Sequence, residues 1–555
     1  MVLLFSFISA MFITMILIPP LMRNAQMLRI VDVPEERKVH HNVIPRIGGI
    51  AMVVGALLPM IVWIHADKTV ISLIAGMGVI FLFGILDDRQ NLDYRLKFLG
   101  QAIAVLVVMV YGDIAFKTVP LMDGHPLPGY IALSLTFLFL LGITNAINLS
   151  DGLDGLAGGM SLLSLGVISL LAYQSGEFDI MLISIAILGS VLGFLRFNTH
   201  PARVFMGDGG SQFLGFSLGV LVLMLTQGET ASFSTALPLL ILGLPMLDTV
   251  MVMAQRFREG RSPFEADKNH IHHRLLNLGL SHYEAVFCIY VIQSSLVLTA
   301  YFFRYASDGL IVGVFIFVSL LIVVFLYQAR IKHWHYRYPG TDNQPLSFLG
   351  NLLARLNNNA DGQISRLAAS ITIAMVAMYL LAVTFLTSAV TLDLAMMMLI
   401  LCVVQMLSLL LLNKRAFSWI ERAGIYVLIT TECYLGMDID GVSKSIMSIA
   451  DIYFILLAVG VVVGLRFSPG RAFKITTLDF LVIFAAFVVP NLPGQFARLD
   501  NFGEFLVRLI ILFYAIELIM TQISSHAHLN MIRVVIASIS GWFALYGLMN
   551  VELAL

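Results

Sequence analysis

Long runs of apolar residues, separated by polar segments, recur along the whole chain of 555 residues. A helix that crosses about 30 Å of hydrocarbon needs about 20 apolar residues, and about eighteen windows of the sequence meet that requirement. The pattern predicts an all-α fold, a polytopic membrane helical bundle with about eighteen transmembrane helices. Composition agrees, because 59% of the residues are hydrophobic and only 12% are charged, whereas soluble domains hold about 25% charged residues.

The Lys and Arg residues indicate the direction of these helices. If the N-terminus lies outside and the helices alternate in direction, the inner loops hold most of the 33 Lys and Arg residues. Cytoplasmic loops of membrane proteins carry such an excess of cations. We therefore expect the N-terminus outside and the polar loops on the inner face. No nucleic acid is expected as a partner, because no region combines a soluble basic face with an aromatic platform.

The two halves of the chain differ in polar content. Residues 1–330, with about eleven spans, carry inner loops rich in Asp, Asn, His, Gly and Pro. Residues 367–555, with about seven spans, are joined by short loops. Between them, 331–366 is polar, and its LSFLGNLLARL stretch predicts a short amphipathic helix on the membrane surface. We expect a domain junction there and the chemistry in the first half.

The segment NAINLSDGLDGLAGG, residues 145–159, places amides and carboxylates at the end of an apolar run. An ionised Asp costs about 2.5–3.5 kcal/mol at the centre of a membrane helix, so a purely structural helix avoids it. A spacing of three predicts that four polar side chains share one side of a helical turn and converge on a ligand. These side chains are Asn145, Asn148, Asp151 and Asp154.

A second inner loop, GILDDRQNLDYRLKFLGQ at 84–101, joins adjacent acids to a cation. Asp87 and Asp88 end one apolar run, and Lys97 begins the next. Adjacent carboxylates repel unless a cation lies beside them, and Mg²⁺ is a natural partner because it bridges carboxylate to phosphate oxygens. An ordinary charged helix end is the alternative explanation of this loop taken alone.

Two further inner loops combine glycine with charge. In FNTHPARVFMGDGGS, residues 197–211, a Gly-rich turn offers backbone N–H groups to an anion, while Asp208 is placed to bind the neutralising metal. Phe205 alone is more typical of a core or lipid-facing ring, but beside Asp208 it is also a candidate for stacking on a base. In the first loop, a Pro-Gly turn brings Arg46 to the same surface.

The fifth inner loop, residues 256–282, is rich in histidine. His270, His273 and Arg274 are spaced to share one helical face, with His272 between them. Zinc is one interpretation, but the loop lacks the glutamate of an HExxH motif and any cysteine. Recognition of phosphate or of sugar hydroxyls therefore suits the loop better, and a solvated basic loop remains the plainer alternative.

Together the inner loops place carboxylates, cations, amides and an aromatic ring at one membrane face. This set is typical of metal-assisted phosphoryl transfer, which needs a metal, cations for the phosphate charge and a base for the nucleophile. Apolar walls suit a lipid acceptor. The alternative is a lipid or solute transporter whose acids relay ions. Transport sites lie near the bilayer midplane, whereas these acids lie at span ends, so we favour the enzyme.

Residues 1–330 resemble the polyprenyl-phosphate N-acetylhexosamine-1-phosphate transferases of glycosyltransferase family 4. The resemblance implies that UDP-N-acetylhexosamine donates hexosamine-1-phosphate to undecaprenyl phosphate, with Mg²⁺ or Mn²⁺, giving a lipid-linked pyrophosphoryl sugar and UMP. Such a step begins O-antigen, common-antigen or other cell-envelope polysaccharide synthesis. Five motifs in the family's order carry it: IPRIGG (44–49), LDDR to LKFLGQ (86–101), NAINLSDGLDGLAGG (145–159), FNTHPARVFMGDGGSQFLGF (197–216) and DKNHIHHRLL (267–276).

The resemblance also implies roles for individual residues. Asp87 matches the acid that deprotonates or positions the lipid phosphate, with Asp88 beside it. Asp208 matches the catalytic metal ligand, Asp151 is a second candidate ligand, and Phe205 matches the ring that stacks on uracil. The remaining matches are to groups that bind nucleotide, phosphate or sugar: Lys97, Arg46, Asn145, Asn148, Asp154, His270, His272, His273 and Arg274.

The histidine motif distinguishes groups within the family. The relative that transfers phospho-N-acetylmuramoyl-pentapeptide has an IHHHFE type of sequence there, whereas this chain reads HIHHRLL. The simple N-acetylhexosamine group is favoured, N-acetylglucosamine first, with the muramoyl-pentapeptide relative as the alternative.

The expected location is the bacterial cytoplasmic (inner) membrane, with the active site on the cytoplasmic face. The extension at 367–555 carries no motif. Three roles remain open for it: binding a partner, forming a homodimer and handling the lipid product.

Overall fold

The computed structural model describes residues 2–32, 43–122, 124–228, 232–262, 269–332, 334–335, 361–387, 390–411, 418–437, 444–466, 477, 480–481, 502–522 and 526–552. Within these residues the fold is almost entirely α-helical. The exception is one antiparallel pair of two-residue strands, Val31–Asp32 with Ile44–Pro45. The predicted all-α class is confirmed.

Two compact units divide the chain. The first comprises Met1–Thr341 with Thr476–Leu481, and the second comprises Asp342–Ile475 with Val482–Leu555. The domain boundaries inferred from sequence stay a prediction, because most of the junction at 331–366, including its LSFLGNLLARL stretch, lies outside the described residues.

The described elements of the first unit are mostly long helices. In chain order they are α1 (Val2–Leu28), β1 (Val31–Asp32), β2 (Ile44–Pro45), α2 (Gly48–Trp63), α3 (Lys68–Gln90), α4 (Tyr94–Leu106, continued by a π-helical turn at Val107–Tyr111), α5 (Gly129–Ser150), α6 (Leu156–Ser175), α7 (Phe178–Asn198), α8 (Gly207–Gln227), α9 (Pro238–Ile241), α10 (Gly243–Arg258), α11 (Ile271–Asn277), α12 (His282–Phe302) and α13 (Asp308–Ile331). The described helices of the second unit are α14 (Asp361–Leu386), α15 (Leu392–Leu411), α16 (Ser418–Met437), α17 (Lys444–Arg466), α18 (Phe502–Gln522) and α19 (His526–Glu552).

Twelve helices among the described residues are long and apolar enough to cross a membrane. Three shorter apolar helices accompany them, Gly48–Trp63, Gly424–Met437 and Ala450–Gly464. The chain is therefore a multi-pass membrane protein. The count of about eighteen spans and the outward N-terminus stay predictions, since one expected span, 477–490, lies largely outside the described residues.

Helix α8 forms the core of the first unit. It is 94% buried over its apolar window, and α2, α3, α5, α6 and α7 pack around it. Its approach to α3 depends on glycine, because a Cβ atom on Gly84 would lie 2.2 Å from the Cα atom of Gly209. Bare backbones can touch where side chains would separate them. The contact therefore brings the polar end of α3 against the first turn of α8.

Helix α5 ends at Ser150, before the two carboxylates of its motif. Asp151 departs from helical geometry with φ −79° and ψ 51°, and Gly155 adopts φ +80°, a left-handed conformation that favours glycine. The Gly155 N–H donates to Asn198 Oδ1 at 2.9 Å, and its carbonyl accepts from Tyr290 Oη at 2.6 Å. The predicted single helical face is wrong, because the two amides lie on the helix and the two carboxylates on an irregular loop.

Candidate active site

Hydrogen bonds join the motif loops to one another at one end of the first unit. The Gly48 N–H, after β2, donates to the Phe205 carbonyl at 3.0 Å. The Asp208 N–H donates to Asp88 Oδ1 at 2.8 Å, although the two residues are 120 positions apart in sequence. The fold thus assembles one polar surface from segments that the sequence keeps far apart.

Lys97 lies between two carboxylates at the centre of this surface. Its Nζ atom is 2.5 Å from Asp87 Oδ2 and 3.1 Å from Asp208 Oδ2. Asp87 is buried, and its other oxygen accepts from the Leu92 N–H at 2.8 Å. The side chains of Lys97 and Asp208 are 33% and 30% exposed, so a ligand can reach them from outside. One cation therefore serves two anions in a place that substrate can enter.

Asp88 points away from this bridge, toward the start of α8. Its Oδ1 accepts from the Asp208 N–H at 2.8 Å, and its Oδ2 accepts from the Gly209 N–H at 3.1 Å. The first N–H groups of a helix have no partner within the helix, and a carboxylate there also meets the positive end of the helix dipole. The predicted anion site of the Gly-rich turn is thus filled by the protein's own carboxylate. Asp88 therefore positions the backbone at Asp208, whereas Asp87 pairs with Lys97.

Substitutions of Asp88 should separate this supporting role from a chemical one. Loss of a side-chain acceptor at a helix start costs about 0.5–2 kcal/mol. We expect Asp88→Ala to lower the thermal unfolding midpoint of the protein in detergent, and Asp88→Asn, which keeps one acceptor oxygen for the two N–H groups, to lower it less. Asp93→Ala is the matched control, because Asp93 precedes α4 without a side-chain cap hydrogen bond. Equal midpoints for the two alanine variants would show that Asp88 does not support α8.

The Asp151 N–H donates to the Asn148 carbonyl at 3.2 Å, whereas the Asp151 carboxylate makes no hydrogen bond or ion pair with any other described residue. Burial, and then the charges of Asp208 and Asp154, raise the pKa of Asp151 to about 7, against the opposing charge of Arg46. A carboxyl group with such a raised pKa has too little positive charge around it, so a nearby cation would stabilise its ionised form.

The donor set at this surface fits a divalent metal ion. Five carboxylates lie at this surface, with one lysine and one arginine among them. Asp208 and Asp151 offer the hard oxygen donors that Mg²⁺ prefers, and phosphate oxygens and water can complete its coordination. These two residues could hold a metal.

The two amides at the end of α5 are largely engaged within the protein. Asn145 Nδ2 donates to Gln101 Oε1 at 2.8 Å, and Gln101 Nε2 donates to Gln212 Oε1 at 3.0 Å. Asn148 Oδ1 accepts from Ser211 Oγ at 2.6 Å. These bonds tie α4, α5 and α8 together below the carboxylates. The Nδ2 group of Asn148 has no hydrogen-bond partner among the described residues, so Asn148 is the better candidate for contact with substrate.

Asp154 is held by the turn that precedes α8. Its Oδ2 accepts from His200 Nδ1 at 2.6 Å and from the Ala202 N–H at 3.0 Å. Burial raises the pKa of Asp154, but these hydrogen bonds and the charges of His282 and His200 outweigh burial and lower the pKa below its usual value. The ionised carboxylate therefore fastens the loop after α5 to the turn at His200.

Asp154, His200 and His282 also present ligand atoms within 4.8 Å of one another. The separation of His200 from Asp154 is that of a hydrogen bond, and the two imidazole rings stack at 4.1 Å. Parallel rings cannot both aim an in-plane lone pair at one ion, so we interpret the group as a fastening and not as a metal site. Sequence analysis missed both histidines, although His200 lies inside a motif it had singled out.

Arg46 and Phe205 flank the carboxylates. The Arg46 guanidinium is 2.5 Å from Oδ1 of buried Asp32, across the β1–β2 pair, and this ion pair fixes its direction. The Phe205 N–H donates to the Pro45 carbonyl at 2.8 Å, and the ring is half-buried. Sequence analysis missed Asp32, because its role depends on a partner 14 residues away.

His272 packs over the loop after α5. A Cβ atom on Gly152 would lie 2.2 Å from His272 Nε2, so only glycine allows this approach. Burial, and then the charge of His273, lower the pKa of His272 to about 3. The ring is uncharged at neutral pH, so His272 does not serve as a cation for phosphate.

His270 and Arg274 of the histidine segment are attached to α10, whereas the ring of His273 lies 4.2 Å from that of His272. His270 Nδ1 is 2.8 Å from Asp248 Oδ2, and Arg274 NH2 donates to Gln255 Oε1 at 2.8 Å. Sequence analysis missed Asp248, although an acid within a largely apolar helix was a signal for it. Of the DKNHIHHRLL motif, Asp267 and Lys268 lie outside the described residues.

Comparison with known proteins identifies the family. Residues 70–226 match the model of glycosyl transferase family 4. A probable undecaprenyl-phosphate N-acetylglucosaminyl 1-phosphate transferase of Bacillus subtilis is 36% identical over 323 residues, which cover 58% of this chain and 89% of the relative. A decaprenyl-phosphate N-acetylglucosaminephosphotransferase of Mycolicibacterium smegmatis is 33% identical, with 52% and 80% covered. An undecaprenyl-phosphate alpha-N-acetylglucosaminyl 1-phosphate transferase of Escherichia coli is 29% identical, with 56% and 85% covered.

The matched segment contains the residues at the centre of the site. Lys97, its two carboxylate partners and the loop after α5 all lie within 70–226. The relatives are covered over most of their own length, although they match little more than half of this chain. The chain therefore belongs to glycosyl transferase family 4, among the polyprenyl-phosphate N-acetylhexosamine-1-phosphate transferases.

Proposed function

We propose that the protein transfers N-acetylglucosamine-1-phosphate from UDP-N-acetylglucosamine to undecaprenyl phosphate. The products are a lipid-linked pyrophosphoryl sugar and UMP. The observation that carries this proposal is the Lys97 bridge between Asp87 and Asp208, beside the weakly neutralised Asp151. The names of the relatives support it, since they specify N-acetylglucosamine phosphate transfer with undecaprenyl or decaprenyl phosphate.

The reaction forms one P–O bond and breaks another. An oxygen of the lipid phosphate attacks the sugar-linked phosphorus of the donor, and the bond from that phosphorus to the bridging oxygen breaks, so UMP leaves with the oxygen. Asp87 orients the lipid phosphate and accepts its proton, if one is present. Lys97 offsets the negative charge that gathers where the two phosphates meet.

The cofactor in this proposal is Mg²⁺ or Mn²⁺, held by Asp208 and Asp151. Such an ion would neutralise oxygens of the donor diphosphate. Asp88 holds the backbone at Asp208 in place for this purpose, through its two hydrogen bonds to the first turn of α8. Lys97 pairs with Oδ2 of Asp208, and the Asp208 side chain is 30% exposed, so a metal ion can approach it.

The remaining side chains suit the nucleotide and the sugar. The half-buried ring of Phe205 offers a face for uracil, because aromatic rings stack favourably in offset geometry. The uncharged His272 suits hydroxyl or amide groups of the sugar and not its phosphate. Arg46, fixed by Asp32, is a second cation available for the diphosphate.

The proposed location is the bacterial cytoplasmic (inner) membrane, with the active site on the cytoplasmic face. The excess of Lys and Arg in the loops that carry the site supports this orientation. The second unit has no assigned role. The proposal includes a homodimer as one oligomeric state, and the mass of the purified particle in detergent tests it.

A transfer assay tests the proposed function directly. Membranes that contain the protein are incubated with labelled UDP-N-acetylglucosamine, undecaprenyl phosphate and Mg²⁺, and the label is extracted into organic solvent. We expect label in the lipid fraction and equimolar UMP. UDP-N-acetylgalactosamine in a parallel reaction tests the choice of hexosamine. Failure to transfer label from any UDP-sugar would contradict the proposal.

Removal of divalent metal should stop the reaction. With EDTA in excess we expect no lipid-linked label, because Asp151 and Asp208 would then meet the donor diphosphate without the ion that neutralises both. Mg²⁺ or Mn²⁺ should restore transfer. Asp151→Asn should raise the Mg²⁺ concentration that gives half the maximal rate. Full activity in EDTA would show that the carboxylates serve another purpose.

A further inference from the structure

Asp248 is a buried acid of α10 that directs both carboxylate oxygens at the histidine segment. Its side chain is 8% exposed. Oδ2 is 2.8 Å from His270 Nδ1, and Oδ1 accepts from the Ile271 N–H at 2.7 Å. Ile271 is the first residue of α11, so the carboxylate fixes the point at which this short helix begins.

The pair also fixes the hydrogen on the His270 ring. An ionised carboxylate only accepts hydrogen bonds, so Nδ1 of His270 must carry the hydrogen that lies between them. The neutral ring then has its lone pair at Nε2, which makes no hydrogen bond with the described residues. A buried carboxylate that holds one imidazole nitrogen thereby determines what the other nitrogen offers a ligand.

A second attachment on the same helix holds the other end of the segment. Gln255 lies seven residues after Asp248, on the same side of α10, and accepts from Arg274 NH2 at 2.8 Å. Arg274 Nε also donates to the Asn269 carbonyl at 2.6 Å. With both ends held, His272 is pressed over Gly152 in the carboxylate loop.

We propose that Asp248 is a positioning residue for donor recognition: it presents His270 Nε2 as a hydrogen-bond acceptor for a hydroxyl of the nucleotide sugar. This inference rests on the proposed function, because it concerns the donor of that reaction. Asp248 touches no substrate itself and acts through His270. The structure therefore predicts a residue whose loss weakens binding of the UDP-sugar and leaves binding of the lipid phosphate unchanged.

Asp248→Asn tests the inference with little change in volume. Asparagine has one acceptor atom where Asp248 uses two, so either His270 or the Ile271 N–H loses its partner. The full-length protein in detergent is assayed for KM and kcat with each substrate varied in turn. We expect the KM for UDP-N-acetylglucosamine to rise about tenfold or more. We expect the KM for undecaprenyl phosphate to stay within about twofold and kcat to change less than the donor KM.

The neighbouring Thr249→Val is the matched control. Thr249 is equally buried on α10, its hydroxyl has no partner among the described residues, and valine has nearly the same shape. Its kinetic constants should match those of the wild type. Asp248→Glu keeps a carboxylate that is displaced by one methylene group, and it should show the same selective rise in donor KM, only smaller. It replaces Asp248→Asn if that variant does not fold.

A double-mutant cycle decides whether Asp248 acts through His270. His270→Ala should reproduce the donor defect, and adding Asp248→Asn to it should cost little more. Additive losses, equal rises in both KM values, or wild-type constants for Asp248→Asn would each overturn the inference. A wild-type protein that transfers nothing from UDP-sugars would instead contradict the proposed function, before any variant is compared.

Discussion

Replacing Asp208 with Asn is expected to lower the rate of sugar-phosphate transfer about 10³-fold or more. Asparagine keeps the shape of the residue, and the N–H that Asp88 accepts belongs to the backbone, so α8 should stay in place. The variant loses the charge that pairs with Lys97 at 3.1 Å and the anionic oxygen proposed for the metal. Metal stabilisation of phosphate charge is worth several kcal/mol, and each 1.4 kcal/mol is about a factor of ten in rate.

The measurement is the initial rate of lipid-linked label at saturating donor and acceptor, over a range of Mg²⁺ concentrations. Asp93→Asn is the matched control, because Asp93 is an exposed acid nearby that undergoes the same chemical change. It should retain the wild-type rate. If Asp208→Asn retained more than a tenth of the wild-type rate at ordinary Mg²⁺ concentrations, Asp208 would not be a metal ligand.

Asp87→Asn is expected to abolish turnover for a different reason. Asparagine can still accept from the Leu92 N–H, so the end of α3 should keep its shape. The ion pair with Lys97 at 2.5 Å is lost, and with it the base and the oxygen that would orient the lipid phosphate. We expect a loss of about 10²–10⁴-fold, the usual contribution of a positioned general base.

Two readouts separate this variant from Asp208→Asn. High Mg²⁺ should leave the rate of Asp87→Asn unchanged, because Asp87 is not a proposed ligand. The dependence on undecaprenyl phosphate concentration should change, whereas the affinity for UDP-N-acetylglucosamine should stay near the wild-type value. If high Mg²⁺ restored the rate of Asp87→Asn, Asp87 would be a metal ligand and not the residue that orients the lipid phosphate.

The sequence predicts which segments form the site better than it predicts the contacts between side chains within the site. Apolar runs and their polar ends placed the motifs at helix termini, and the structure does join Asp88 to Asp208 and the loop of Asp154 to the turn at His200. Charged residues and glycines interrupt the apolar runs at helix termini, however the helices pack. The hydropathy pattern was therefore sufficient to find these termini.

The direction of individual side chains could not be predicted in the same way. Asp87 and Asp88 are adjacent in sequence, yet one faces Lys97 and the other faces the N–H groups of α8. Asp248, in α10, and His270, just before α11, form a pair although they lie 22 residues apart in sequence. Such choices depend on packing, which local spacing does not encode. The end of α5 at Ser150 was missed for a related reason, because Asn198 and Tyr290 stabilise the irregular backbone from distant helices.

The contact between Gly84 and Gly209 restricts the substitutions that the sequence can accept. Neither residue has a side chain that could meet substrate, yet a single methyl group at Gly84 would lie 2.2 Å from the opposing backbone. Relieving that overlap would move α8 by a distance comparable with the tolerance of the 2.8 Å bond between Asp88 and the Asp208 N–H. Substitution at Gly84 is thus restricted by geometry and not by chemistry, whereas a Cβ atom on Gly209 would meet its nearest neighbours only at 3.3–3.5 Å.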